Sequence, residues 1–387
     1  MGDRSQQSRT FRSLFAWLAR YFRKIVWLTS LLFLVGSVIS GCSPFYVMRA
    51  AYEEGKILWR REPIALYLEK PDVNQETQEK LRLVLAVREY ARDVLKLNVG
   101  GSYSSYSYVD RPDLSYILTA APRTELRPYT WWFLIVGRVP YKGYFSKEDA
   151  NAAAQELEAE GYDTNIRTSA AFSTLGWFDD PLLAHLLRYD KVTLADVVFH
   201  ELLHNTLYVK GAGSFNESLA NFVGGRSAIN FFHDRFGAGS PEHERAIRAW
   251  EEELEFAEFI EKLAASLDQL YGMDIPEEDK LRLRQAVFTR SKEDWSQRVA
   301  QRSSHRFRNF SSRLLNNAVV IHYQLYLKNL HLFEALYEAQ GKNLLAVIDA
   351  IRKAVAQGGE PFAAVQSLLS KPATIDGNEV LEMMNQH

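Results

Sequence analysis

Apolar residues change their spacing three times along this chain. Between 75 and 98, Leu81, Val84, Leu85, Val87, Tyr90, Ala91, Val94 and Leu95 fall at helical intervals, which predicts an amphipathic helix stopped by Gly100-Gly101. From 102 to 145 the pattern turns to aromatic and β-branched runs: Tyr103 to Tyr108, Leu114 to Thr119 and Trp131 to Val136. Arg111-Pro112-Asp113, Pro122 and Pro128 break these runs, so they read as strands of one small sheet. Ser146 then caps a predicted helix through Glu160, ended by Gly161, and helical periodicity dominates from there on. It predicts helices at 194–209 and from Asn216 onward, a charged hairpin of Glu251–Tyr271 and Glu277–Arg302 turned near Gly272 and Pro276, a helix over Val319–Leu330, and two or three more in 331–387. The density of charge in the hairpin suggests a solvated excursion or a lid. The expected fold class is α+β, predominantly helical, with a small N-terminal-side β-sheet and a helical C-terminal region.

The helix predicted at 194–209 carries the chemistry. Val197, Val198, Leu202, Leu203 and Leu207 make it apolar, and His200-Glu201-Leu202-Leu203-His204 places H-E-x-x-H within it. Residues four apart on a helix lie about 40° apart around the axis, so both imidazoles leave one face a turn apart and can grip one metal ion. Two His on Zn²⁺ leave room for a third protein ligand and a water, and Glu201 is placed to act on that water as general base. Thr193 and Asp196 are candidates for the capping start, and Gly211 and Gly213 for the stop.

Glu217 is the candidate third ligand, reached through a turn at Gly211-Ala212-Gly213. It has a second reading, because Ser214-x-x-Glu217 is also a capping box in which the carboxylate bonds back to the Ser backbone. A third His at metzincin spacing is absent, since Leu207 and Lys210 stand where Gly and His would be needed. Tyr326 is the first candidate for a donor to a developing oxyanion and His322 the second, against ordinary helix packing for both. Asp179 and Asp180, before Pro181, read first as turn and cap chemistry and second as contacts to a substrate ammonium or to a ligand His. Tyr144 closes the stretch Gly137 to Phe145, part of the only sheet that offers an edge strand for a substrate backbone.

Composition narrows the setting. The chain has 387 residues, 47% of them hydrophobic, enough for a large core, and a formal net charge of −2. Residues 1–41 hold six Arg and Lys against one Asp, a net of +5, which leaves −7 for the remainder and argues against nucleic acid as a partner. The basic run Arg4 to Lys24 followed by apolar Ile25–Ser40 reads as a signal peptide rather than a spanning helix, and it ends in Ile39-Ser40-Gly41-Cys42. Cys42 is the only cysteine. Its place suits lipid attachment better than redox chemistry, the alternative being an uncleaved membrane anchor; either way the catalytic part faces away from the cytoplasm. The chain accordingly divides into a signal peptide of lipoprotein type (1–41), a tether and first helix (42–74), a region with sheet and His helix (75–239), the charged hairpin (240–308) and C-terminal helices that complete the cleft (309–387).

Taken together, the lipobox-like Ile39–Cys42, Val139–Phe145, Gly176–Leu182, His200–His204, Asn216-Glu217-Ser218-Leu219-Ala220 and Asn316-Asn317-Ala318 resemble the putative aminopeptidase family of bacterial lipoproteins. The resemblance implies a zincin-like metallopeptidase of gluzincin type, with one Zn²⁺ per chain on His200, His204 and Glu217 and with Glu201 as base. It implies a peptide substrate, a membrane anchor through lipid on Cys42, and a place on the periplasmic face of the bacterial envelope, with Ser43 suggesting the outer membrane. The chain has no Gly-x-Met-Glu-Asn motif for a free amine, so peptidase chemistry is better supported than aminopeptidase specificity. A different class of function stands beside this one: a catalytically silent envelope lipoprotein that keeps a zincin fold to bind a partner.

Overall fold

The computed structural model describes residues 26–27, 52–53, 55–109, 113–133, 137–169, 179–302 and 305–370. Cys42, most of the signal-like segment, and Gly176-Trp177-Phe178 lie outside the described residues. Among the described residues no helix is long and apolar enough to cross a membrane.

In chain order the elements are β1 (Glu62–Pro63), α1 (Ile64–Tyr67), α2 (Gln75–Asp93), β2 (Ser105–Ser107), β3 (Ser115–Pro122), β4 (Trp131–Phe133), β5 (Gly137–Val139), β6 (Lys142–Tyr144), α3 (Lys147–Ala159), β7 (Tyr162–Ser169) and β8 (Leu182–Leu183). Helices follow almost exclusively: α4 (Lys191–His204), α5 (Gly213–Phe236), α6 (Pro241–Tyr271), α7 (Glu277–Val299), α8 (Asn317–Leu327), α9 (Leu330–Ala339), α10 (Leu344–Val355) and α11 (Pro361–Ser370). The expected α+β, mostly helical class is what is found. Helix α2 starts where the periodicity predicts, capped by the Asn74 side chain accepting from Thr77 N–H. It stops five residues short of Asn98, because the chain turns through Lys96 at φ 55°. Ser146 caps α3 as predicted, and Gly161 follows it at φ 90°.

The strands form three small sheets rather than one. β1–β2–β8 pairs β2 with β8 in parallel through Tyr106 and Leu182, β6–β3–β7 is antiparallel, and β4–β5 is a two-stranded ribbon. The eight-residue β7 has no counterpart in the sequence reading, because it lacks an apolar alternation. Its even positions Tyr162 and Ile166 pack with Ala154 and Leu157 of α3. Its odd positions Asp163, Asn165 and Arg167 are polar and turn to the other face, where they meet Arg284, Thr119 and Tyr326. Among the described residues β7 pairs only with β3, which makes it an edge strand.

The charged hairpin is turned at Gly272 and Pro276 as expected, but it is no solvated excursion. One face of α6 buries Trp250, Phe256, Phe259, Ile260, Leu263 and Leu267 in the same apolar cluster as Phe199 and Leu202 of α4, Phe222 of α5 and Phe333 of α9. Phe256 stacks on Phe307 at 4.0 Å between ring centres, and Trp295 of α7 is fully buried against Phe256 and Phe259. The charges that dominate its sequence occupy the outer faces.

Candidate metal centre

Helix α4 begins earlier and ends earlier than its sequence suggests. Its cap is Asp190, whose carboxylate accepts from the N–H groups of Val192 and Thr193 and pairs with Arg245 of α6. Thr193 and Asp196 therefore sit inside the helix, not at its start. At the other end His204 is the last helical residue, so the His pair occupies the final turn.

The chain then reverses through 205–212, and the reversal is closed by one buried amide. Asn216 accepts from Val209 N–H at 2.8 Å and donates to Val209 C=O at 2.8 Å, which uses both sides of its amide on a single backbone unit. That pair fixes where α5 starts relative to α4, and Glu217 is the next residue. The capping-box reading of Glu217 is not what forms: α5 has Ala212 at its cap position with no side-chain cap bond. Instead Glu217 Oε2 lies 3.3 Å from His200 Nε2 and 3.8 Å from His204 Nε2.

The three donor atoms all lie within 4.8 Å of one another. Ligands at about 2.0–2.2 Å around a tetrahedral ion stand roughly 3.3–3.6 Å apart; the two Glu217 separations, 3.3 and 3.8 Å, are close to that, and the triangle as a whole is somewhat wider. The two imidazole rings are 5.0 Å apart and nearly perpendicular. The set of two His and one carboxylate, with a fourth position open, is the donor chemistry of hydrolytic zinc sites.

The electrostatics without an ion show how tightly these groups are held. Burial works against a charged His200, but Glu217, together with Glu201 and Asp196, outweighs it and lifts His200 to about 9. Burial likewise works against an ionised Glu217, and the two imidazoles still hold its carboxyl far below the usual carboxylate range. Asp196, one turn before His200, is raised to about 6 by burial, against the pull of Arg306.

A close helix crossing sets the triangle. A Cβ at Gly224 of α5 would lie 2.4 Å from Asp196 Oδ1, 2.8 Å from Asp196 O and 3.3 Å from His200 Cβ, so only Gly lets α5 approach α4 this closely. On the other side of the same helix, a Cβ at Gly225 would meet the Trp250 ring at 2.3 Å.

Tyr326 is brought beside the pair, its ring centre 6.3 Å from that of His200. Its hydroxyl accepts from Arg167 Nη2 of β7 at 2.6 Å. Burial raises the phenol above its ordinary value, so it is kept neutral. His322 lies 5.5 Å from the Tyr326 ring, buried, with Nδ1 lacking a partner; burial and the Arg167 and Arg313 charges push it well below its usual value. The Asn316-Asn317 pair explains why α8 lands here. Asn316 caps α8 and donates to Thr164 C=O of β7. Asn317 donates to the carbonyls of Pro122, Arg123 and Glu125, and its N–H reaches Asp163.

Glu201 is half-buried, and its charge reaches His200, Tyr326 and the buried phenol of Tyr103, itself held at φ 58°. Asp179 accepts from Gly101 N–H at 2.7 Å, and the Asp180 backbone bonds Ser102 Oγ and Tyr103 N–H, in the turn chemistry expected of them; the Asp180 charge also reaches the Tyr103 phenol beside Glu201. Tyr144 is brought to β6 opposite Tyr116, in the small cluster under α3. Its neighbour Tyr141 instead is buried within reach of the charges of Glu217 and Arg167. Sequence reasoning missed Arg167, Tyr141, Asp190 and Gly224; only Asp190 had a local signal, an Asx residue three positions before Thr193.

Against known proteins, the profile of the family described as putative aminopeptidase matches residues 45–360. No curated protein and no solved structure matches the chain.

Proposed function

The chain belongs to the putative aminopeptidase family, and from that premise we propose that it is a zinc-dependent peptidase of the bacterial envelope, cleaving as an aminopeptidase and anchored by lipid on Cys42. The observation that carries the reading is the His200–His204–Glu217 triangle beside Glu201. Zinc, when bound by those three residues, supplies a Lewis acid and lowers the pKa of a water toward neutrality.

The remaining work falls to the chain's own side chains. Glu201 takes the proton of the attacking water on its carboxylate and passes it to the leaving amine. Tyr326, neutral and oriented by Arg167, donates its hydroxyl proton as a hydrogen bond to the oxyanion that forms at the scissile carbonyl. The edge strand β7 supplies backbone groups that pair with an extended substrate and hold it in register.

Elemental analysis of protein beginning after Cys42 tests the site, with Glu217→Ala and Glu201→Gln measured alongside. One zinc per chain in the parent and in Glu201→Gln, loss of zinc in Glu217→Ala, and loss of peptide cleavage in both variants are expected. Zinc uptake unaffected by Glu217→Ala removes Glu217 from the ligand set. Full zinc with no cleavage of any peptide turns the assignment to a partner-binding lipoprotein. Fatty-acid labelling of cells that is abolished by Cys42→Ser checks the anchor.

A further inference from the structure

Among the described residues Arg167 has no carboxylate partner, whereas the arginines around it have one. Arg284 holds Asp163 at 2.7 and 3.1 Å, Arg226 forks onto Glu334, and Arg306 pairs with Glu253. Arg167 spends one N–H on the neutral hydroxyl of Tyr326 and lies 5.3 Å from the centre of that ring. Among the described residues its Nε is buried with no hydrogen-bond partner, and so is Nδ1 of His322, whose ring lies 5.5 Å from the same tyrosine. An unsatisfied buried polar group destabilises the site it lines. Two of them around one phenol, next to a guanidinium without an anion, are what a binding site lacks before its ligand arrives.

The surroundings specify the ligand's charge. Glu201 and Glu217 are the carboxylates whose charge reaches Tyr326, and both are committed, one to the proton and one to the metal. A divalent ion cancels those two charges, which leaves Arg167 in excess and Arg313 within range of His322. The position specifies reach. Arg167 is on an edge strand, its guanidinium 5.3 Å from the centre of the Tyr326 ring, which is itself 6.3 Å from the His200 ring. An extended peptide advances about 3.3 Å per residue, so a group held here lies within about three residues of the bond at the metal.

We propose that Arg167, with Tyr326 and His322, forms a carboxylate-binding subsite, and that the preferred substrates are peptides with a carboxylate within about three residues of the bond cleaved. This names the substrate class of the peptidase reading and rests on it for turnover. The carboxylate has two sources, the C-terminus of a short peptide or an Asp or Glu side chain. An aminopeptidase acting on di- and tripeptides meets the first without any change of cleavage polarity.

The test uses zinc-loaded wild type, Arg167→Gln and Arg167→Lys on three matched peptides: free C-terminus, C-terminal amide, and amide with one internal Glu. Wild type is expected to favour a carboxylate-bearing peptide roughly 10- to 100-fold in kcat/KM, the range of a hydrogen bond to a charged group. Arg167→Gln erases that preference, bringing the three peptides to one kcat/KM beneath whatever common loss follows from the broken Tyr326 contact, and Arg167→Lys restores part of it. The ratio of the free-acid and internal-Glu arms tells which source the subsite takes. Equal cleavage of all three by wild type overturns the proposal, as does a carboxylate preference that survives in Arg167→Gln beneath an equal loss on all three, which leaves Arg167 as a positioning residue for Tyr326 alone.

Calorimetric titration of the same proteins with glutarate is the arm that does not need turnover. Glutarate binding weakened at least tenfold by Arg167→Gln at unchanged zinc content upholds the subsite even if no peptide is cleaved, in which case the peptidase reading alone fails. Binding that is absent, or indifferent to the substitution, overturns the subsite whatever the peptidase assays give.

Discussion

Gly224→Ala tests whether the ligand triangle is set by the α4–α5 crossing. The added methyl would sit 2.4 Å from Asp196 Oδ1 and 2.8 Å from Asp196 O. The carboxylate can swing away, but the backbone oxygen belongs to α4 one turn before His200 and moves only with the helix. Restoring ordinary contact requires about half an ångström of separation, and overpacking of this kind costs about 1–3 kcal/mol. Replacing a mid-helix Gly by Ala returns up to ~1 kcal/mol through helix propensity. The net loss is then about 0–2 kcal/mol, or at most roughly 4 °C of Tm at ~2 °C per kcal/mol in a chain this long. Stability is therefore the weak readout. Metal affinity is the strong one, because ligand distances tolerate only about 0.2 Å and Glu217 rides on the same face of α5 as Gly224. Zinc competition against a chromogenic chelator should show a 10- to 100-fold weaker site, the size of effect seen when outer-shell support is lost. Gly225→Ala is the control: it strikes Trp250 of α6 at 2.3 Å, and is expected to lower Tm more and zinc affinity less. Zinc affinity within twofold of wild type in Gly224→Ala, or equal loss in the two variants, refutes the reasoning.

Three further outcomes follow from the same geometry. Asn216→Ala strips both bonds from the Val209 backbone and is expected to cost about 1–3 kcal/mol in chemical denaturation, with weaker zinc binding because Glu217 is the adjacent residue. Asp190→Asn keeps a good cap residue but removes the charge paired with Arg245, and should cost at most about 1 kcal/mol. Although burial opposes it, the Arg245 pairing and the Thr193 N–H hold the Asp190 carboxyl below its ordinary value, so its contribution is present above the unfolded carboxylate range near pH ~4 and is lost as pH falls through its lower folded value; a plot of Tm against pH should be flatter on the acid side in the variant. Asp163→Asn leaves Arg284 buried without its partner and should cost about 3–5 kcal/mol by urea titration; because Asp163 also receives the Asn317 N–H, cleavage should fall with it.

The parts of this molecule that read directly from sequence are those whose signal is local. The Leu81–Ala91 periodicity, the Ser146 cap, the Gly272–Pro276 turn and the i, i+4 spacing of His200 and His204 each depend on neighbours within a turn or two. What stayed hidden depends on distant partners. β7 is polar on the face that meets α8 because Asp163 and Arg167 have partners at Arg284 and Tyr326, 121 and 159 residues away, and no alternation of apolar residues betrays such a strand. Gly224 looks like an ordinary helix-weakening residue until α4 is laid across it. α6 reads as solvated because its outer charges outnumber the apolar stripe that Trp250, Phe256, Ile260, Leu263 and Leu267 bury. Ser214-x-x-Glu217 satisfies a local capping rule, yet the carboxylate goes to the two imidazoles. Two imidazoles 3.3 and 3.8 Å away hold the carboxylate more strongly than one exposed helix N–H would.

The true bounds of α4 also change the electrostatics of the site. A His pair in mid-helix would feel little of the helix dipole, but His204 closes α4, so a cation held there stands at the end where unpaired carbonyls concentrate negative potential. Such placement favours positive charge by about 0.3–1 kcal/mol, more when partly buried. Glu217 stands beyond the first turn of α5, where the helix start contributes little, so what draws its carboxylate inward is the pair of imidazoles 3.3 and 3.8 Å away. The lift of His200 and the depression of Glu217, each against its own burial, follow from that proximity.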